Sequence, residues 1–284
     1  MALSTRNVVT AQQSTAQSAS FTYTFAYTVG AGTELLAVAP RAQGFGSGSL
    51  PAAVRWEDEF GGNAEPLVEY VVDGRVHNSS QNISTGWWAL PNPTARSGRI
   101  AVDYEMNPAA TGDITSYSAT ALEMIGGVDT AAPIGAVGSL RVLSESAPLS
   151  ITNTIAGAMI LSSGVHYIGD RGPFTPDADI TAELVDGVSG TGSSVDHCYW
   201  AGEALTTAVR AHAVGYTAAV SSFGVVAAIE IKPAVTGGAS VSVPTAWRIR
   251  AQADAPAATA DAANARVDSG EYDCKDFYFC TKSL

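Results

Sequence analysis

The sequence predicts an all-β protein whose antiparallel strands form a sandwich or barrel. Large apolar side chains alternate with small or hydroxylated ones over much of residues 20–231, and no strong helical period interrupts them. Turn residues separate these stretches roughly every ten positions, a spacing typical of sandwiches and barrels. Twenty-eight glycines and thirteen prolines suit a chain with many tight turns.

Residues 20–29 show the alternation most clearly. A period of two places large apolar side chains on one face of a strand and small or hydroxylated ones on the other. Glycines at positions 30 and 32 then end this strand, and a second one is predicted for residues 34–40. The large apolar positions of the first strand are Phe21, Tyr23, Phe25, Tyr27 and Val29.

The later strands follow the same pattern, and clusters of turn residues end them. Such clusters include Gly-Gly-Asn at 61–63 and Pro-Asn-Pro at 91–93. The later predicted strands cover residues 51–57, 66–73, 83–90, 98–106, 113–125, 137–143, 148–155, 158–167, 179–186, 196–204, 206–214 and 222–231.

Changes in composition divide the chain into three parts. Residues 1–19 are rich in Gln, Ser, Thr and Ala and are interpreted as an extended N-terminal arm, whereas residues 20–233 carry the sandwich. Residues 234–284 are interpreted as a C-terminal extension with one alternating stretch, an alanine-rich segment and an aromatic tail. Because that tail has too few apolar residues for a core of its own, we expect it to dock on another surface, either the sandwich of its own chain or a neighbouring subunit. The candidate subunit contacts are Tyr272, Phe277, Tyr278 and Phe279.

The charge of the chain excludes some classes of partner. A net charge of −12 argues against binding to a nucleic-acid backbone, which requires a basic surface. No apolar run reaches the roughly 18 residues of a membrane span, so we expect no membrane insertion. The first residues lack a charged segment followed by an apolar one, so no secretory signal is predicted.

No motif selects a catalytic centre, and we interpret the protein as non-enzymatic with no cofactor. The sequence contains no Gly-x-Ser-x-Gly nucleophile elbow, and nothing selects two of its 27 acidic residues as a glycosidase pair. One acidic loop offers oxygen ligands that a Ca²⁺ ion could use, although the spacing matches no known calcium loop. These weak calcium candidates are Asp170, Asp177 and Asp179, and a solvated acidic loop is the alternative.

Tryptophan residues provide the best candidates for ligand binding, because sugar rings stack on exposed aromatic faces. Strand alternation sends the adjacent Trp87 and Trp88 to opposite faces of a sheet. One of the two therefore points into the core, and the family resemblance described below implies that this is Trp87, so we expect Trp88 to be exposed. Trp56 and Trp88 are therefore the candidate glycan-binding residues, and packing under a loop or against another subunit is the alternative.

Four segments, taken in order, resemble a jelly-roll or concanavalin-like domain that occurs in bacteriophage virion proteins and bacterial exported proteins. Residues 21–38 resemble its opening hairpin, and Trp-Trp-Ala-Leu-Pro-Asn-Pro at 87–93 resembles the end of one of its strands. Residues 117–135, which contain Gly-Val-Asp-Thr-Ala-Ala-Pro, and residues 223–233, which end in Ala-Ile-Glu-Ile-Lys-Pro, resemble two further segments. The resemblance implies a jelly-roll-type sandwich without a fixed enzymatic activity.

The resemblance, together with the absence of a predicted leader, favours a virion structural protein that assembles in the host cytoplasm. Such a head decoration or cement protein, fibre or spike would bind neighbouring virion subunits. The resemblance also implies a homo-oligomer, with a trimer favoured. The alternative is a carbohydrate-binding module that recognises cell-surface glycans, whereas a secreted hydrolase is disfavoured by the missing leader.

Overall fold

The computed structural model describes residues 2–13, 17, 19–44, 50–78, 81–105, 114–168, 174–177, 179, 182–189 and 196–234. These residues confirm an all-β protein with antiparallel sheets and contain no helix. It follows that no helix of this part is long and apolar enough to cross a membrane. Residues up to Ala234 belong to one compact unit. Residues 235–284 of the C-terminal extension, with its four aromatic candidates, lie outside the described residues.

Seventeen strands run through the described residues. Most of them coincide with stretches of alternating hydrophobicity in the sequence, because a strand with one buried face needs an apolar side chain at every second position. The strands are β1 (Ser4–Gln13), β2 (Phe21–Val29), β3 (Leu35–Gly44), β4 (Leu50–Glu57), β5 (Glu65–Pro66), β6 (Val68–Asn78), β7 (Gln81–Pro91), β8 (Arg96–Glu105), β9 (Ile114–Ile125), β10 (Ile134–Ala147), β11 (Ser150–Thr152), β12 (Met159–Ile168), β13 (Phe174–Pro176), β14 (Ala182–Ser189), β15 (Asp196–Leu205), β16 (Ala211–Ala213) and β17 (Tyr216–Ile231).

The strands form three large antiparallel sheets. A four-stranded sheet has the order β2-β8-β4-β5, and a central five-stranded sheet has the order β1-β9-β3-β7-β6. A six-stranded sheet follows the order β10-β17-β12-β15-β14, with β13 added against β17. The short strands β11 and β16 pair only with each other.

The four-stranded and central sheets enclose an aromatic core. The large apolar positions predicted for residues 21–29 point into it: Tyr23, Tyr27 and Val29 are buried, and Phe21 and Phe25 pack against its margin. Phe21 stacks on Tyr104, with ring centroids 5.2 Å apart. The predicted apolar face of this strand is therefore confirmed.

The other face of the central sheet packs on the six-stranded sheet. Leu35, Trp87 and Leu122 of the central sheet form a second core with Leu161 and Ile229 of the six-stranded sheet. The central sheet is thus covered on both faces. The described residues therefore form three stacked sheets, one more than the two layers of a simple sandwich.

Within the segment predicted as an extended N-terminal arm, residues 4–13 form the edge strand β1 of the central sheet. A bulge between Arg6 and Val9 shifts the register, and Asn7 there has a φ of 48°. Val8 then packs on the second core and Val9 on the first. The segment is polar because an edge strand buries few of its side chains, and it therefore gives little strand signal in the sequence.

Candidate functional site

The predicted exposure of Trp88 is wrong. Its side chain is only 1% exposed and lies in the core between the four-stranded and central sheets. Trp56 is fully buried in the same core, and its indole Nε1 donates to the Thr94 carbonyl oxygen at 3.1 Å. Trp87 points to the opposite face, as alternation requires, and is buried in the second core. Neither Trp56 nor Trp88 presents a ring on which a sugar could stack.

Glycines make room for both of these indoles. A Cβ on Gly86 would lie 2.8 Å from the Trp88 ring, and a Cβ on Gly98 would lie 2.8 Å from the Trp56 ring. Real Cβ atoms do not approach ring atoms this closely. Each indole therefore fits only because the residue beside it is a glycine and has no side chain. The two tryptophans are therefore tightly packed core residues.

The weak calcium candidates do not form a metal centre within the described residues. Both Asp179 oxygens bind the Arg210 guanidinium, at 2.6 and 3.2 Å, and one also accepts from the Ala213 backbone N–H at 2.8 Å. Asp177 accepts from the Gly215 N–H at 3.1 Å. No group of three or more metal-ligating side chains occurs among the residues whose positions are described. Asp170 lies outside them.

The two aspartates differ in acidity because their partners differ. Hydrogen bonds from Arg210 and from the Ala213 N–H lower the pKa of Asp179 to about 2. Burial and the nearby Asp179 charge raise the pKa of Asp177, against the effect of its hydrogen bond from Gly215. Asp179 already has a cation as its partner, so this loop is held by an ion pair.

Two fully buried carboxylates join distant parts of the chain. Glu123 accepts from Arg6 Nε and Asn7 Nδ2 at 2.8 Å, from the Gly30 N–H at 3.0 Å, and from the Thr33 hydroxyl. These bonds fasten β1 and the β2–β3 turn to β9. Burial tends to raise the pKa of Glu123, but these hydrogen bonds outweigh it and lower the pKa.

Glu230 plays a similar part on the outer face of the six-stranded sheet. It accepts from the backbone N–H groups of Ala136 at 2.7 Å, Thr154 at 2.7 Å and Ile155 at 3.2 Å, and from the Thr154 hydroxyl. The carboxylate therefore ties β10 and the loop after β11 to β17. Like Glu123, it is fully occupied by partners within the protein.

The most exposed large apolar side chain in the described part of the chain is Phe60, which is 94% exposed. It lies in the turn that joins β4 to β5, called here the Phe60 turn (residues 58–64). Asp58 organises this turn: its Oδ1 accepts from the N–H groups of Phe60 at 3.0 Å and Gly62 at 2.7 Å. Its Oδ2 accepts from Asn63 Nδ2 at 3.0 Å.

Backbone bonds and an arginine fix the same turn. The Asp58 N–H donates to the Gly62 oxygen at 2.9 Å, and the Gly61 N–H donates to the Asp58 oxygen at 3.0 Å. Arg96 donates to the Asn63 oxygen at 2.5 Å and lies over the Trp56 ring, 5.4 Å from its centroid. The turn is therefore pre-organised, with its aromatic side chain in solvent.

Phe60 was missed by the sequence analysis, which noted the Gly-Gly-Asn turn at 61–63 directly after it. A signal was present: a large aromatic residue between Glu59 and Gly61 occupies a predicted turn rather than a strand. Turn residues have little chance of being buried, because a buried turn would leave backbone groups unsatisfied. A phenylalanine at such a position therefore indicates exposure.

The comparisons with known proteins give no family. No family model matches the chain, and no curated protein matches it. The resemblance to jelly-roll domains therefore stays a prediction.

Proposed function

We propose that this protein is a non-enzymatic structural component of a bacteriophage virion, of the head decoration, cement, fibre or spike type. It binds neighbouring virion subunits as the virion assembles in the host cytoplasm. In this role the stacked sheets serve as a rigid scaffold, and the surface supplies the contacts. Because the chain carries a net charge of −12, these contacts depend on shape and apolar burial as well as on the partner's charge.

The proposal rests on one observation: the two buried carboxylates are bound by groups of the protein itself. Glu123 and Glu230 each accept hydrogen bonds from several groups of the chain itself, and each joins strands that are far apart in sequence. Breaking such a buried arrangement costs several kcal/mol, on the order of 3–5. These two buried charges thus serve cohesion and leave no free base or nucleophile at either place, which supports a scaffold role.

Jelly-roll connectivity is part of the proposal. The chain passes from the four-stranded sheet in β2 to the central sheet in β3 and returns in β4. It crosses between the same two sheets again, in the opposite order, along β7, β8 and β9. Repeated exchange between two facing sheets is typical of Greek-key and jelly-roll sandwiches, which supports this connectivity for residues 21–125.

Self-association is also part of the proposal. We propose a homo-oligomer, with a trimer favoured by the resemblance, whose contacts include the aromatic residues of the C-terminal extension. Size-exclusion chromatography with light scattering tests it, since a trimer has three times the 29.1 kDa mass of the chain. A monomeric mass at micromolar concentration contradicts it.

The proposed function is tested by asking whether the protein is a component of purified virion particles. Particles are purified by density gradient from cells that carry the gene, and their proteins are quantified by mass spectrometry. We expect the chain to co-purify in a constant ratio to the major capsid protein, while an abundant host cytoplasmic protein does not. Recovery of the chain only in the particle-free fraction contradicts the proposal.

A further inference from the structure

We propose that the Phe60 turn docks into an apolar socket, rimmed by lysine or arginine side chains, on a protein other than this chain. This inference rests on the proposed function only in naming that protein as a neighbouring virion subunit. The exposed aromatic ring and the acidic side chains of the turn determine which surface a partner needs in order to bind it.

The turn has the geometry of an interface anchor. Aromatic side chains dominate the energetics of many interfaces when they enter a pocket at the centre of the contact. Phe60 is 94% exposed and therefore has nearly its whole ring available for burial. The backbone on both sides is held by Asp58, so little conformational entropy remains to be lost when a partner binds.

The charge around the turn selects the rim of the socket. Four carboxylates lie in or beside the turn, at Glu57, Asp58, Glu59 and Glu65. Glu57 and Glu65 have arginine partners, with Arg99 2.7 Å from Glu57 and Arg96 3.2 Å from Glu65. Glu59 is exposed and makes no ion pair with any described residue. The unpaired Glu59 carboxylate next to Phe60 therefore favours a partner surface with free cations.

A second copy of this chain does not fit that requirement in the part that the structure describes. Its basic side chains there are largely used internally, since six of them lie within 3.8 Å of a carboxylate of the same chain. Two copies, each with a charge of −12, also repel one another at their acidic turns. The six are Arg6, Arg55, Arg96, Arg99, Arg210 and Lys232.

The experiment adds purified full-length protein to particles prepared from cells in which the gene has been deleted. Bound protein is measured by co-sedimentation over a range of concentrations. We expect Phe60→Ser to weaken binding at least about tenfold and Phe60→Leu to retain most of it, because leucine keeps an apolar side chain. The matched control is Val209→Ser, which alters a valine that is 57% exposed in a different loop and should bind like the wild type.

A charge variant tests the rim separately. Glu59→Lys should weaken binding at low salt, and the difference from the wild type should shrink as salt screens the interaction. Equal binding by Phe60→Ser and the wild type overturns the inference and leaves the proposed function standing. Loss of a wild-type oligomer in Phe60→Ser, seen by light scattering, overturns it in favour of a second copy. If wild-type protein does not bind the particles, the proposed function fails and the inference fails with it.

Discussion

Trp56 and Phe60 lie four positions apart on one hairpin and have opposite environments. Trp56 is fully buried, with its N–H bonded to Thr94 and its ring edge-on to Tyr27 at 6.2 Å. Phe60 is almost fully exposed beyond the end of the same strand. Both are large aromatic residues of a kind that binds ligands, yet only the Phe60 ring is exposed to solvent and can contact one. The difference shows that an aromatic residue becomes a candidate site through what covers it, which depends on strands elsewhere in the chain.

The largest expected effect is the loss of the buried member of this pair. Trp56→Ala removes an indole from a tightly packed core, so we expect the free energy of unfolding to fall by about 3–5 kcal/mol. Urea denaturation followed by circular dichroism measures it. A fall of less than about 1 kcal/mol would mean that the Trp56 site is loosely packed, in contradiction to its burial.

Glu123→Ala tests the buried charge that holds β1. It leaves the Arg6 guanidinium and three further donors without their acceptor, so we expect a loss of about 3 kcal/mol in the free energy of unfolding. Relative to the wild type, backbone hydrogen exchange in the variant should speed up more in β1 than in β2. The control is Glu59→Ala, which removes an exposed carboxylate and should leave both measurements unchanged. Unchanged exchange in β1 would contradict the fastening role of Glu123.

Gly98→Ala tests the space beside Trp56. The added methyl group would lie 2.8 Å from the indole and close to the Glu57 carbonyl oxygen, so one of them must move. We expect a loss of about 1–3 kcal/mol in the free energy of unfolding, as for other overpacked cores. Gly138→Ala is the control, because its Cβ would meet Leu149 at an ordinary 3.5 Å. Equal stability of the two variants would contradict the close packing of Trp56 on Gly98.

Asp179 makes a smaller contribution to the free energy of unfolding, and this contribution depends on pH. Its folded pKa of about 2 lies below the unfolded value of roughly 3.9. Its stabilising contribution is therefore present above the unfolded pKa and is lost as the pH falls through about 2. Arg210→Ala removes the main cause of the shift, so NMR titration should show the Asp179 pKa rising towards its ordinary value. An unchanged pKa in this variant would contradict the role of Arg210.

The smallest expected effect is at Phe60. Phe60→Ser removes an exposed ring, while the hydrogen bond from its backbone N–H to Asp58 remains possible. We expect the free energy of unfolding to change by less than about 0.5 kcal/mol, in sharp contrast to Trp56→Ala. A clear loss of stability would show that the ring packs within the protein, in contradiction to its exposure.

Much of the secondary structure could be predicted because alternation is a local property. The strand at 21–29 and the strand at 159–168 lie within one residue of their predicted ranges. β1 was missed because an edge strand that carries Arg6 and Asn7 has no clear apolar period. For the candidate site, the predicted exposure of Trp88 was wrong and the exposed Phe60 was overlooked, since burial depends on contacts between distant parts of the chain.

The sequence by itself determined the β class, most strand positions and the side chains that share a face, because a strand repeats every two residues wherever it lies. Only the tertiary structure decided what covers each face. The six-stranded sheet comes from residues 134–231, and it covers the face of the central sheet that carries Trp87, while the four-stranded sheet covers the face that carries Trp88. No local pattern encodes such a contact, since it depends on how separate strands pair and stack. The same physical reason leaves Phe60 in solvent: no sheet of the described chain extends over its turn.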